Sequence, residues 1–138
     1  MEPDDTLAEA DLERLVPAFY ARVRDDALIG PVFNRAIDDW EAHLAKLTAF
    51  WSSLMLTSGR YKGQPVAAHL KHKAALTPEM FDRWLALWAD VTSELLAAPK
   101  ARALQDKAAR VAQSLQLALW FHLPDIDASP SARQRSST

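Results

Sequence analysis

Thr77-Pro78-Glu79-Met80-Phe81-Asp82-Arg83-Trp84-Leu85-Ala86-Leu87-Trp88-Ala89-Asp90-Val91-Thr92-Ser93-Glu94-Leu95 reads as one amphipathic helix with its start signal attached. Threonine caps the first turn, and proline fits the first helical position, where no partner exists for its missing N–H. Phe81, Trp84, Leu85, Trp88, Val91 and Leu95 recur every three or four residues and fall on one face. A helix this apolar on one side must bury that side against other elements, and the neighbouring segments carry the same periodicity.

Upstream, Asp38 or Asp39 can cap a second long helix that runs to about Leu56, with the stripe Trp40, Leu44, Leu47, Phe50, Trp51, Leu54 and Met55. Thr57-Ser58-Gly59-Arg60 ends it, with Gly59 suited to the left-handed terminal position. A first helix is predicted from about Leu7 to Arg24, on the Thr6/Glu9 capping spacing and the stripe Leu12, Leu15, Val16, Phe19, Tyr20 and Val23. Pro17 should break or kink it, or mark the junction of two helices. Leu28–Asn34, with Gly30-Pro31 inside, reads as a tight corner with at most one helical turn. Gln64-Pro65 opens a short helix that ends by about Leu76. Pro99 separates the opening helix from a last one, Lys100 to about His122, with Leu104, Ala108, Val111, Leu115 and Leu119 inward. No period-two strand pattern survives. The expected fold is all-α, as a single domain over residues 1–126, with a disordered tail over 127–138 rich in serine, arginine and proline.

Composition narrows the function. With 138 residues the chain can build one real core. The net charge is -2 with both signs scattered, so neither nucleic acid nor an anionic membrane is an expected partner. Cysteine is absent, which excludes disulfides, thiolate metal sites, iron–sulfur clusters and a thiol nucleophile. The acidic start lacks an apolar run, so no signal peptide is expected, and no stretch approaches the roughly 20 apolar residues of a membrane span. A cytoplasmic protein is the expectation.

The chemistry lies with the four histidines. His43 and His69 fall on inward positions of two different helices, His69 beside Val66 and Leu70. A histidine on an apolar face is often a hydrogen-bonded core residue, and the pattern alone leaves that reading open. His72 sits between Lys71 and Lys73 and points to solvent; it lies three residues from His69, but no third ligand completes a metal site there. His122 ends the last helix, a structural position. No glycosidase-like carboxylate pair, Ser–His–Asp order or glycine-rich phosphate loop occurs. What remains is an aromatic-rich helical protein with two inward histidines and with Tyr20, Phe33 and Trp84 inward between them. That set fits a flat apolar cofactor needing one nitrogen ligand, as a neutral imidazole serves haem iron.

Several fragments, weak singly, gain meaning from their order: Phe19-Tyr20-Ala21-Arg22-Val23-Arg24, Gly30-Pro31-Val32-Phe33-Asn34, Trp40-Glu41-Ala42-His43, Phe50-Trp51 with Leu54-Met55-Leu56, Tyr61-Lys62-Gly63-Gln64-Pro65 leading into Ala68-His69-Leu70, and Phe81-Asp82-Arg83-Trp84-Leu85. From about Leu12 to Trp120 the sequence resembles the group III truncated globins, a bacterial branch with a two-over-two helical sandwich. The resemblance implies a b-type haem whose iron is bound by His69. It implies a distal site of Tyr20, His43 and Trp84, with Phe33 packed on the haem and Leu47 lining the distal cavity; Val66, beside His69, joins the cofactor-binding set. The implied function is binding of a diatomic gas, oxygen foremost, with nitric oxide and carbon monoxide as others and an unidentified reductase as electron donor. Two alternatives stand beside it. One is a haem enzyme with peroxidase-like or nitric-oxide-oxidising activity, although no carboxylate partner for His69 is evident. The other is a haem-free helical interaction module.

Overall fold

A computed structural model describes residues 6–63, Pro65, His69 and residues 72–120. Its long elements are α1 (Glu9–Asp25), α2 (Gly30–Ala36), α3 (Trp40–Leu56), α4 (Pro78–Leu95) and α5 (Ala98–Trp120). Pro65 and His69 are also helical, and Lys73–Ala75 forms a 3₁₀ turn. The chain is all-helical, and no strand occurs among the described residues. The stripe of α1 is buried along its whole length because α2, α3 and α4 all pack on it, while α5 pairs with α4. Among the described residues no helix is long and apolar enough to cross a membrane.

Several boundaries differ from the sequence expectation for local reasons. α1 starts at Glu9, and Ala8 rather than Thr6 is the cap residue. The Asp11 carboxylate accepts the Ala8 N–H at 2.9 Å, while Glu9 reaches instead to Ser52 and Arg60. Pro17 lies inside α1 without ending it. Its ring stands on the exposed face, and the helix is held on both sides of it by the buried Leu12, Leu15, Val16, Phe19, Tyr20 and Val23. That burial outweighs the one missing backbone bond.

The Leu28–Asn34 corner opens a seven-residue helix that runs on to Ala36, rather than a single turn. Asp26 makes this possible: its carboxylate accepts the N–H groups of Leu28 and Ile29, both at 3.0 Å. A Cβ at Gly30 would lie 2.7 Å from the Arg24 carbonyl oxygen, so only glycine allows α2 to turn this closely against α1. At the end of α3 the left-handed cap position is held by Thr57 (φ 54°), with Gly59 (φ 72°) two residues further on. Asp39 caps the start of α3 through the Ala42 N–H, and Thr77 does the same for α4 through Met80. Pro99 falls in the first turn of α5, where it costs nothing, so it begins that helix instead of standing before it. His122 and residues 127–138 lie outside the described residues.

An aromatic column fills the core. Trp51 of α3 stacks on Trp88 of α4 at 4.5 Å, and Trp88 stacks in turn on Trp84 at 5.9 Å. Phe19 meets Trp88 edge-on at 4.7 Å and Trp84 at 5.8 Å. Trp88 is fully buried, and its indole N–H donates to the Leu104 carbonyl at 3.1 Å, which ties α4 to α5 without leaving a polar group stranded. This column fixes where Trp84 stands relative to α1, and so builds one wall of the site.

Candidate functional site

Trp84 is half-buried at the end of the column, and its indole N–H donates to the Tyr20 hydroxyl oxygen at 3.4 Å. Tyr20 projects from α1 one residue after Phe19, whose ring it meets edge-on at 4.7 Å. Because the Tyr20 oxygen accepts from Trp84, its own O–H remains available to donate elsewhere. Burial pushes the phenol up to about 12, against a smaller opposing effect of the Trp84 bond, so Tyr20 keeps its proton at neutral pH.

Two further aromatic rings approach Tyr20: Phe33 of α2 at 5.8 Å and Trp40 of α3 at 6.2 Å. Trp40 lies edge-on to His43 at 5.8 Å, and the Arg24 guanidinium sits over its ring at 4.6 Å. His43 is half-buried on the first turns of α3. Burial, then Lys46, then His69 hold its imidazole below the usual histidine range. The last of these effects places the His69 ring within electrostatic reach of His43. Phe33, Trp40, Leu44, Leu47 and Trp84 are half-covered apolar side chains that pack on the core.

His69 and Pro65 both have helical backbone. The His69 Nδ1 lies 2.7 Å from the Pro65 carbonyl oxygen. A carbonyl can only accept, so Nδ1 carries a proton and donates it there, and Nε2 is the ring nitrogen left for another partner. Phe81, at the first turns of α4, packs 6.4 Å from this ring. His72 is exposed, as its lysine neighbours lead one to expect. Val66 lies outside the described residues.

The chain thus brings Tyr20, Phe33, Trp84 and, through Trp40, His43 into one cluster. No family model matches the chain. It is 36% identical over 88 residues to the group 3 truncated hemoglobin ctb of Campylobacter jejuni, which covers 61% of this chain and 68% of that relative. The chain belongs to the group 3 truncated hemoglobins. The crystal structure of a group III truncated hemoglobin from Campylobacter jejuni matches with a TM-score of 0.77 and 29% identity, covering 86% of this globin and 96% of that chain.

Sequence reasoning passed over four residues that shape the cluster of this globin. Trp40 enters the sequence reading as a stripe residue and in the Trp40–His43 fragment, with no role at the site, although it lies three residues before His43. Arg24, over the Trp40 ring, carries no sequence signal of its own. Asp26 and Arg83 join the α1–α2 corner to the residue before Trp84, with Arg83 Nε donating to Asp26 Oδ1 at 2.7 Å. An aspartate a few residues before Gly30-Pro31 is the signal that would have found that corner cap.

Proposed function

We propose that this globin binds one b-type haem through Nε2 of His69 and presents Tyr20, Trp84 and His43 to a diatomic ligand, oxygen foremost. The observation that carries the reading is the His69–Pro65 hydrogen bond. It engages Nδ1 as donor to the carbonyl and leaves Nε2 as the ring nitrogen for a metal. The half-covered apolar residues Phe33, Trp40, Leu44, Leu47 and Trp84 suit the faces of a flat macrocycle, and the absence of cysteine leaves no thioether attachment. Haem, when bound, supplies the ferrous iron that takes up the gas. The protein supplies the donors. Trp84 donates to Tyr20, and Tyr20, held protonated by burial, donates its own O–H toward a polar ligand. Such a bond is stronger in an apolar site than in water. His43, held toward its neutral form, adds a third nitrogen at the edge of the site.

Ligand binding is favoured over peroxidase-like chemistry by the partner of His69. It is a backbone carbonyl, not a carboxylate, and so gives less negative charge to the imidazole. Hemin titration of the purified protein tests the proposal. The expected result is a saturable Soret band at one haem per chain and a ferrous form that takes up oxygen and carbon monoxide. A protein that leaves hemin free would be a helical module with core histidines instead.

A further inference from the structure

The segment that follows α3 is pinned at several points over residues 58–63. Ser52, fully buried, bonds both Glu9 and Ser58, and Glu9 also takes Arg60. The Tyr61 N–H donates to Ser53 Oγ at 2.8 Å, and the Tyr61 ring stands edge-on to Phe50 of α3 at 5.2 Å. Beneath that ring lies Gly63. A methyl group there would fall 2.6 Å from Tyr61 Cζ and 2.9 Å from Cε1, and would also strike the hydroxyl. The ring therefore rests directly on the Gly63 backbone, with Phe50 behind it. Two residues later comes Pro65, whose carbonyl holds the His69 imidazole.

We propose that Tyr61 is a positioning residue for the axial imidazole: clasped between Phe50 and Gly63, it sets the approach to Pro65 and so keeps His69 in its Nδ1–H form. This rests on the reading of His69 as iron ligand for its importance, though not for its test. The Tyr61 ring touches α3 and the chain just before Pro65, and its effect passes through the Pro65 carbonyl. A free neutral imidazole prefers the proton on Nε2, so the Nδ1–H form has to be imposed by the partner it finds.

The test is the tautomer of His69, read from two-bond proton–nitrogen correlations of the full chain labelled with ¹⁵N-histidine. The parent should show Nδ1–H as the dominant form of His69. Gly63→Ala, which displaces the ring, and Tyr61→Ala, which removes it, should both lose that dominance in favour of Nε2–H. Tyr61→Phe, which keeps the ring, should retain the parental pattern. Tyr61 is only half-buried, so these variants should keep the helical circular dichroism of the parent. In hemin-loaded ferrous samples the iron–histidine stretch should move to lower wavenumber in the two disruptive variants only. If both keep the Nδ1–H form of the parent, the proposal is overturned. A chain that takes up no hemin would overturn the haem reading instead, while the tautomer is still read without haem.

Discussion

Tyr20 and Trp84 form a donor chain in which each group has one task. Trp84 spends its only N–H on Tyr20, and Tyr20 has its O–H left to spend. A hydrogen bond to a charged or strongly polar group contributes about 1.5–3 kcal/mol net, and about 1.4 kcal/mol is tenfold in rate. Tyr20→Phe should therefore speed oxygen dissociation by about one to two orders of magnitude. Trp84→Phe should change it less, because Tyr20 keeps its own donor. Stopped-flow measurement of oxygen and carbon monoxide release in both variants and the pair checks this, with carbon monoxide responding less. Unchanged oxygen release in the double variant would make these residues packing only. His43 offers a second check. Burial, Lys46 and His69 all lower its affinity for a proton, so its NMR titration midpoint in the haem-free chain should fall below the ordinary value of about 6.5. The shift favours folding above the unfolded midpoint, and that contribution is lost as pH falls through the folded one. His69→Ala removes one of the three causes and should move the His43 midpoint back upward.

At the scale of elements, the corner between α1 and α2 is the place where one carboxylate does most. Asp26 caps α2 through Leu28 and Ile29 and holds Arg83 of α4, and its side chain is only 4% exposed. Burial pushes its carboxyl up, but the Ile29 N–H, the Arg83 guanidinium and the Leu28 N–H together outweigh that and hold it below the ordinary carboxylate value. The resulting stability is fully present above the unfolded value of about 3.9 and is lost as pH falls through the folded one. Asp26→Asn should thus cost about 1–3 kcal/mol at neutral pH, with a smaller deficit at pH about 3. Urea midpoints measured at both pH values decide it, and an equal deficit at both would count against the ion pair. This corner also marks where the sequence could be read and where it could not. Thr77-Pro78 and Asp39 announce their helices because each cap acts within one turn of its own position. The persistence of α1 through Pro17 was not legible, because it depends on burial against three other helices. The left-handed Thr57 and the cap at Ala8 were missed because local side-chain bonds overrode the glycine and threonine preferences.

On the scale of the whole molecule, the aromatic column Trp51–Trp88–Trp84 and the α1 stripe make one body, and the two imidazoles stand at the edge of it on α3 and on the segment after it. Periodicity could assign Tyr20, Phe33, His43 and Trp84 to inward faces, but not their mutual distances, which follow from the crossing of α1, α3 and α4. The resemblance to truncated globins bridged that gap. The central claim is that His69 holds the iron, and resonance Raman spectroscopy of the ferrous hemin-loaded protein addresses it most directly. The parent and His72→Ala should show an iron–histidine stretch, and His69→Ala should lose it and regain it when free imidazole is added. Loss of the band in His72→Ala with its retention in His69→Ala would contradict the assignment.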